Sequence, residues 1–172
     1  MIILWETLRR HTFAEAKAEL IARSKRAENV SLRDLVALGE TSERHNNGVY
    51  FFWKGSAPIY VGSAGSRSFV ERVPAHFDPR SGAWFATLLK RLRERPLCDG
   101  RDPHEQAFDL QLSLLACDRR SKAHTPSQLE AFFLASLGGT WLNSTKWVYV
   151  PDPNTPLERE ILDWRGRRQR RR

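Results

Sequence analysis

Cysteine is nearly absent from this chain: only Cys98 and Cys117 occur among 172 residues, and neither belongs to a CxxC pair. No paired CxxC/HxxxH spacing exists to build a zinc site, so structural, reduced thiols are the simpler reading. Long apolar runs are missing as well. No stretch approaches the roughly 18–20 residues that span a bilayer, which argues against a membrane partner. Met1-Ile2-Ile3-Leu4-Trp5 is too short for the core of a signal peptide and leads into a charged helix. A cytoplasmic setting is the resulting expectation. Internal repeats are lacking, and the last eight residues contain no acid at all.

What is present fits one domain with a real core: 172 residues, 41% of them hydrophobic, with six Trp and nine Phe. The formal net charge is +8, but Arg165, Arg167, Arg168, Arg170, Arg171 and Arg172 supply six of those charges and leave only +2 for the rest. Such a tail can neutralise phosphates and release counterions, giving salt-sensitive affinity for nucleic acid through Arg167, Arg168, Arg170, Arg171 and Arg172. A disordered, solubilising end is the competing reading. Charge alone points to a polyanion and to no chemistry.

Periodicity divides the chain into three regions: an N-terminal helical extension (1–46), a central domain (47–150), and a C-terminal helix with an arginine-rich tail (151–172). A helix over 13–26 places Phe13, Ala16, Leu20 and Ile21 on one face behind Thr12 as cap. A shorter one covers Leu32 to Leu38, stopped by Gly39, before a polar linker from Glu40 to Asn47. These helices either cover a sheet or contact DNA. Two strands, Gly48 to Trp53 and Ile59 to Ser63, flank a five-residue connection. A helix from Ser68 to Phe77 carries Pro74, which predicts a kink or a late start.

Residues 83–95 are amphipathic, with Trp84, Phe85, Leu88, Leu89 and Leu92 inward. Phe108 to Leu114 alternates with period two, as a strand with one buried face does. A helix over 126–137 starts at Thr125-Pro126 with Gln128 closing a capping box, and a last one runs from Pro156 to Trp164. The expected fold class is α+β, a small and mostly antiparallel three-stranded sheet flanked by helices.

Three places could carry chemistry. In a five-residue turn Trp53 faces Ile59, so Phe52 pairs with Tyr60 and Tyr50 with Gly62. Both phenols then share a face, and Gly62 leaves room above the sheet. Packed aromatics are the plain alternative. Arg72 and His76 stand at i and i+4, one suited to gripping a phosphate oxygen, the other to accepting or relaying a phenol's proton. A solvated arginine and a surface histidine would look the same. Glu130 shares its helical face with Phe133, Leu134 and Leu137, where an ionised carboxylate is costly unless a cation compensates. Without a Cys or His cluster, the cation suggested is Mg²⁺ or Mn²⁺ held through one protein ligand, waters and phosphate. An ion pair with a lysine or arginine would serve too. Asn143 reads either as a turn residue or as an amide that orients a phosphate or a phenol.

Gly48-Val49-Tyr50, then Tyr60-Val61-Gly62, Arg72, Glu130 and Asn143 in that order resemble the GIY-YIG nuclease superfamily over about residues 47–145. The Arg72-x-x-x-His76 pairing is similar to that of its restriction-endonuclease branch. Both central isoleucines are valine here, and Pro74 interrupts the Arg72–His76 segment. The resemblance implies a GIY-YIG-like domain and a single-metal hydrolysis of DNA. Tyr50 would be the general base, with Tyr60 and His76 tuning or relaying the proton. Arg72 would stabilise the pentacovalent phosphate, Glu130 would hold the Mg²⁺ (or Mn²⁺), and Asn143 would order the site. A phenol with a free pKa near 10 acts as a base only where cations favour phenolate.

Two function classes follow: a DNA endonuclease of restriction or mobile-element type, and a basic nucleic-acid-binding module that keeps the fold without cutting. No residue pattern separates DNA from RNA as the partner. One active centre per chain cuts one strand, so a double-strand break would take a homodimer or two encounters.

Overall fold

The computed structural model describes residues 1–36, 45–80, 87–98, 100–118, 124–138, 142–143 and 148–170. The protein is α+β, but its sheet is mixed and five-stranded where a mostly antiparallel three-stranded one was expected. Three strands are the anticipated ones: β3 (Gly48–Lys54), β4 (Ala57–Ala64) and β5 (Gln111–Ala116). The other two come from the N-terminal region. β1 (Ile2–Leu4) runs parallel to β5, pairing Ile2 with Leu114, and β2 (Lys25–Arg26) runs antiparallel to it, pairing Lys25 with Leu112. Since β3 takes the other edge of β5 along its whole length, β1 and β2 share one edge. Three and two residues are too few to show a period, so neither strand is visible in the pattern.

The N-terminal region is therefore woven into the sheet of the central domain. Trp5–Leu8 forms a single helical turn, α1, and Phe13–Ala22 forms α2, capped by Thr12 as expected, in a capping box that Glu15 completes. α2 stops at Ala22, short of the predicted residue 26. There Ser24 Oγ donates to the Ile21 carbonyl at 2.6 Å and frees Lys25 and Arg26 to pair with β5. Leu32–Leu35 is a 3₁₀ turn with a Ser31–Asp34 capping box; Leu38, Gly39 and the linker to residue 44 lie outside the described residues.

The central hairpin is tighter than expected. Trp53 pairs with Pro58 and Lys54 with Ala57, leaving a two-residue turn at Gly55-Ser56. Gly55 has φ +59°, open to glycine at little cost. The register then shifts between Phe52 and Trp53, and Ile59 is the extra residue on β4. That bulge restores the pairs that matter, Phe52 with Tyr60 and Tyr50 with Gly62.

β3 and β5 are buried on both faces, so β5 is not the half-exposed strand its alternation suggested. On one side, Val49, Phe51, Trp53, Val61 and Leu115 pack with Leu8, Leu20, Phe132, Phe133, Ile161 and Trp164. These last six come from α1, α2, α6 (Pro126–Ser136) and α7 (Leu157–Gln169). On the other side, Tyr50, Phe52, Tyr60, Leu112 and Leu114 pack with Phe69, Leu88, Leu89 and Leu92, from α3 (Phe69–Arg72) and α4 (Thr87–Glu94). Trp84 and Phe85 lie outside the described residues.

Two further boundaries differ from the pattern. Asp102 caps a short helix, α5 (Pro103–Phe108), so Phe108 belongs to a helix and β5 starts only at Gln111. A proline at the first helical position after an Asp cap is the signal for this start. The last helix continues past Trp164 to Gln169. Arg165, Arg167 and Arg168 are thus helical residues, and the tail does not leave the fold after Trp164 as expected. Arg168 lies over the Trp164 ring at 5.4 Å and Arg167 over Tyr149 at 5.5 Å, contacts that favour extending the helix.

Candidate active site

The site is built on the face of the sheet that carries Tyr50 and Tyr60. Their rings stack at 6.4 Å between centroids, inclined by 25°. Gly62 is opposite Tyr50, and the space it leaves is filled by that phenol. A Cβ on Gly62 would stand 2.3 Å from the Tyr50 hydroxyl. Gly62→Ala is therefore expected to push the phenol out of its seat, costing about 1–3 kcal/mol of stability by overpacking. Thermal unfolding checks this; an unchanged Tm would mean the ring has room that the geometry denies.

Arg72 and His76 reach the same phenol from α3 and the 3₁₀ turn after it, Pro74–Phe77. Pro74 ends the α-helix near Val73, as its ring requires, yet the 3₁₀ turn carries His76 on to the site. The Tyr50 hydroxyl and His76 Nε2 are 2.6 Å apart. On the far side of the ring, the backbone N–H of Leu88 donates to Nδ1 at 3.3 Å. An N–H can only donate, so Nδ1 carries a lone pair and the proton of the neutral ring is on Nε2. Nε2–H therefore donates to the Tyr50 oxygen.

Of the roles considered for His76, this hydrogen bond fits tuning of the phenol oxygen. His76 is fully buried, and desolvation, reinforced by the Arg72 charge, lowers its pKa to about 3. A ring so placed does not take Tyr50's proton near neutrality; it offers a proton to the phenol oxygen instead. Acid stability follows from the same shift. Between the ordinary histidine value near 6.5 and about 3, the unfolded chain binds a proton that the folded ring refuses. The contribution is intact above pH ~6.5 and falls by about 1.4 kcal/mol per unit below it. Thermal melts from pH 7 to 4.5 are expected to decline more steeply for the wild type than for His76→Gln. Parallel curves would count against a neutral, buried ring.

The guanidinium of Arg72 hydrogen-bonds Tyr50, and its charge favours the ionised forms of Tyr50, Tyr60 and Glu130. Burial outweighs it at both phenols and holds their pKa values above the ordinary range. Glu130 approaches differently. It lies on α6, which packs on the opposite face of the sheet, beside the edge strand β4. Ser63 Oγ donates to Glu130 Oε2 at 2.5 Å. Burial raises the Glu130 pKa, with Ser63 and Arg72 opposing, and its charge is near enough to push both tyrosines upward. Tyr50 is sealed from solvent, whereas Arg72, Ser63 and Glu130 are partly exposed, so the mouth of the site lies on their side.

Asn143 turns out to be a splint. Its Oδ1 accepts from the Val61 N–H at 2.8 Å and its Nδ2 donates to the Val61 carbonyl at 2.9 Å. With Leu142 N–H donating to the Ile59 carbonyl, the segment pairs with the free edge of β4 as a strand would. Both ends of the amide are engaged with backbone, so it orders the residue between Tyr60 and Gly62.

All six expected residues thus belong to this region: Tyr50, Tyr60, Arg72 and His76 meet one another, Glu130 is coupled to the phenols and to Arg72 through its charge, and Asn143 braces their strand. Ser63 and Thr87 were missed. Ser63 holds the carboxylate, and Thr87, the first residue of α4, hydrogen-bonds the Tyr60 phenol. Ser63 is adjacent to the Tyr60-Val61-Gly62 motif, the one hint that sequence could have offered. No group of three or more His, Cys, Asp or Glu residues occurs among the described residues. The donor set is one raised carboxylate beside a hydroxyl, all oxygen, and it fits a hard divalent cation that keeps most of its waters. Of the arginines expected to bind nucleic acid, Arg167, Arg168 and Arg170 lie on or just after α7, and Arg171 and Arg172 are outside the described residues. Among the described residues, no helix is long and apolar enough to cross a membrane.

Comparison with family models, curated proteins and solved structures finds no match to this chain.

Proposed function

We propose that this protein is a divalent-metal-dependent nuclease of the GIY-YIG type that hydrolyses a phosphodiester bond in DNA. The observation that carries the reading is the convergence on the Tyr50 oxygen. An imidazole N–H at 2.6 Å and an arginine donate to one phenol, and a carboxylate lies close enough to couple with it. Two donors aimed at a single oxygen are what a phenolate needs and what a merely packed tyrosine does not.

In this mechanism a water oxygen attacks phosphorus while the P–O3′ bond breaks. Burial holds Tyr50 as a phenol in the free protein, so Tyr50 would take the proton of the attacking water only once a bound cation together with Arg72 outweighs that burial, the His76 Nε2–H then holding the charge of its oxygen. Arg72, at the partly exposed mouth, is also placed to grip a non-bridging phosphate oxygen with its planar fork. Tyr60, held by Thr87, sets the other wall. Glu130, oriented by Ser63, would hold a Mg²⁺ or Mn²⁺ ion, which supplies Lewis-acid stabilisation of the leaving 3′ oxygen. Ser63 and Asn143 are positioning residues in this scheme.

Supercoiled plasmid incubated with the full chain and Mg²⁺ is expected to be nicked or linearised, and excess EDTA is expected to stop the reaction. Binding of the same DNA with no cutting under Mg²⁺ or Mn²⁺ would favour the non-cleaving nucleic-acid-binding module. A matching single-stranded RNA substrate, cut faster than DNA, would move the substrate assignment to RNA.

A further inference from the structure

We infer that the cleft between α6 and α7 is a second phosphate-binding site, shaped for the backbone of a DNA duplex beside the cut. This open cleft, about 360 Å³, is lined by Ser127, Gln128 and Ala131 from α6 and by Trp164, Arg165, Arg168 and Gln169 from α7. Its lining carries two guanidinium groups and no acid. α7 carries three acids, Glu158, Glu160 and Asp163, and none of them lines the cleft. Glu158 faces Arg9 and His124, while Glu160 is buried, accepting from the Tyr149 hydroxyl and the Asp152 N–H. The field inside the cleft is accordingly positive.

Arg168 is also held in a way that a solubilising tail would not require. Arg168 lies over the indole of Trp164, itself 6% exposed, and this stacking holds the planar fork in place before any anion arrives. Ser127 and Ala131 form a small-side-chain floor that lets an anion approach α6. The cleft and the site described above are two flanks of the same helix. Glu130 leaves α6 toward β4 and Ser63, while Ser127, one turn earlier, borders the cleft. Residues one turn apart are roughly 5–6 Å apart at Cβ. A strand whose scissile phosphate lies at Glu130 would thus pass close to the cleft that Arg165 and Arg168 line. The identity of the polyanion rests on the nuclease reading; the anion site itself does not.

The test is binding in EDTA, so that no outcome depends on cutting. Anisotropy of a labelled 20-base-pair duplex is followed with KCl for the full chain, Arg165→Ala/Arg168→Ala, and Arg93→Ala/Arg95→Ala as a charge-matched pair outside the cleft. The cleft pair is expected to weaken binding about tenfold and to lower the slope of log K against log salt by about 1.8, two phosphate contacts' worth. Ser127→Glu, at an exposed position in the first turn of α6, keeps both arginines and introduces an anion into the cleft; it should weaken binding to a similar extent. Equal losses in both arginine pairs, or an unaffected Ser127→Glu protein, would overturn the site, as would a full chain that binds no duplex. Inorganic pyrophosphate at matched ionic strength separates the sources of phosphate. Tight, Ser127→Glu-sensitive pyrophosphate binding with a duplex affinity indifferent to the same change would assign the cleft to a free anion and overturn the duplex. Failure of the plasmid assay with this binding pattern intact would sink the nuclease reading alone.

Discussion

Glu130→Gln protein is expected to lose cleavage by at least about 10³-fold while becoming slightly more heat-stable at pH 7. The two effects have one cause. Burial raises the pKa of this carboxyl, so near neutrality the ionised form destabilises the folded state. The sign is that of a group whose folded pKa lies above its unfolded one: the penalty is present above the folded value and disappears below the unfolded value near 4.3. Glutamine removes the charge and retains an acceptor for the Ser63 hydroxyl. Calorimetry should show Glu130→Gln melting higher than wild type at pH 7, with the difference vanishing by pH 4. Addition of 10 mM Mg²⁺ is expected to raise the wild-type Tm by a few degrees, on the order of 1 kcal/mol of linkage, and to leave Glu130→Gln unmoved. Persistent cutting, or an equal Mg²⁺ shift in both proteins, would remove Glu130 from the metal.

Tyr50→Phe carries the second large effect. The ring stays and the oxygen goes, so the rate is expected to fall by about 10²–10⁴-fold, the range associated with losing a general base. Stability should fall too, by about 1–3 kcal/mol, because the buried Nε2–H of His76 loses its acceptor. Tyr60→Phe removes a phenol that Thr87 holds and that His76 meets only ring to ring, at 5.2 Å between centroids. Its expected loss is about tenfold. Side-by-side single-turnover rates decide the assignment: a larger loss in Tyr60→Phe would exchange the roles of the two tyrosines. Either result tests a geometry in which His76 supports a phenolate by donating, since neither phenol has a histidine lone pair to give its proton to.

Much of the local architecture was legible in the chain. The caps at Thr12, Ser31, Ser68 and Thr125 close as their spacing indicates, because a capping box is settled within four residues, whereas the start signal at Thr155 with Glu158 does not: the last helix is capped by Pro156 without a side-chain hydrogen bond. The pairs Tyr50–Gly62 and Phe52–Tyr60 were right even though the turn was not. A five-residue loop and a two-residue turn followed by one bulged residue give the same parity beyond the bulge. The faces of the hairpin were therefore readable and its turn was not.

The misses share a different character. β1 and β2 are strands only because β5 has an edge to offer, and nothing in Ile2–Leu4 or Lys25–Arg26 encodes that edge. The arginine-rich end continues as a helix with Arg168 over Trp164 one turn back and Arg167 over Tyr149, the second a contact that no pattern of the segment alone contains. The direction of the His76–Tyr50 hydrogen bond is set by one backbone N–H at Leu88, twelve residues away. Asn143 became a splint for β4 through a strand edge eighty-two residues distant. The chain alone specified which residue types carry chemistry, which faces they share and where helices begin, since those depend on neighbours within a turn or a hairpin. Folding settled how the groups are protonated, which of them touch, and which edges are covered, because burial and hydrogen bonding act through space between segments that the sequence keeps far apart.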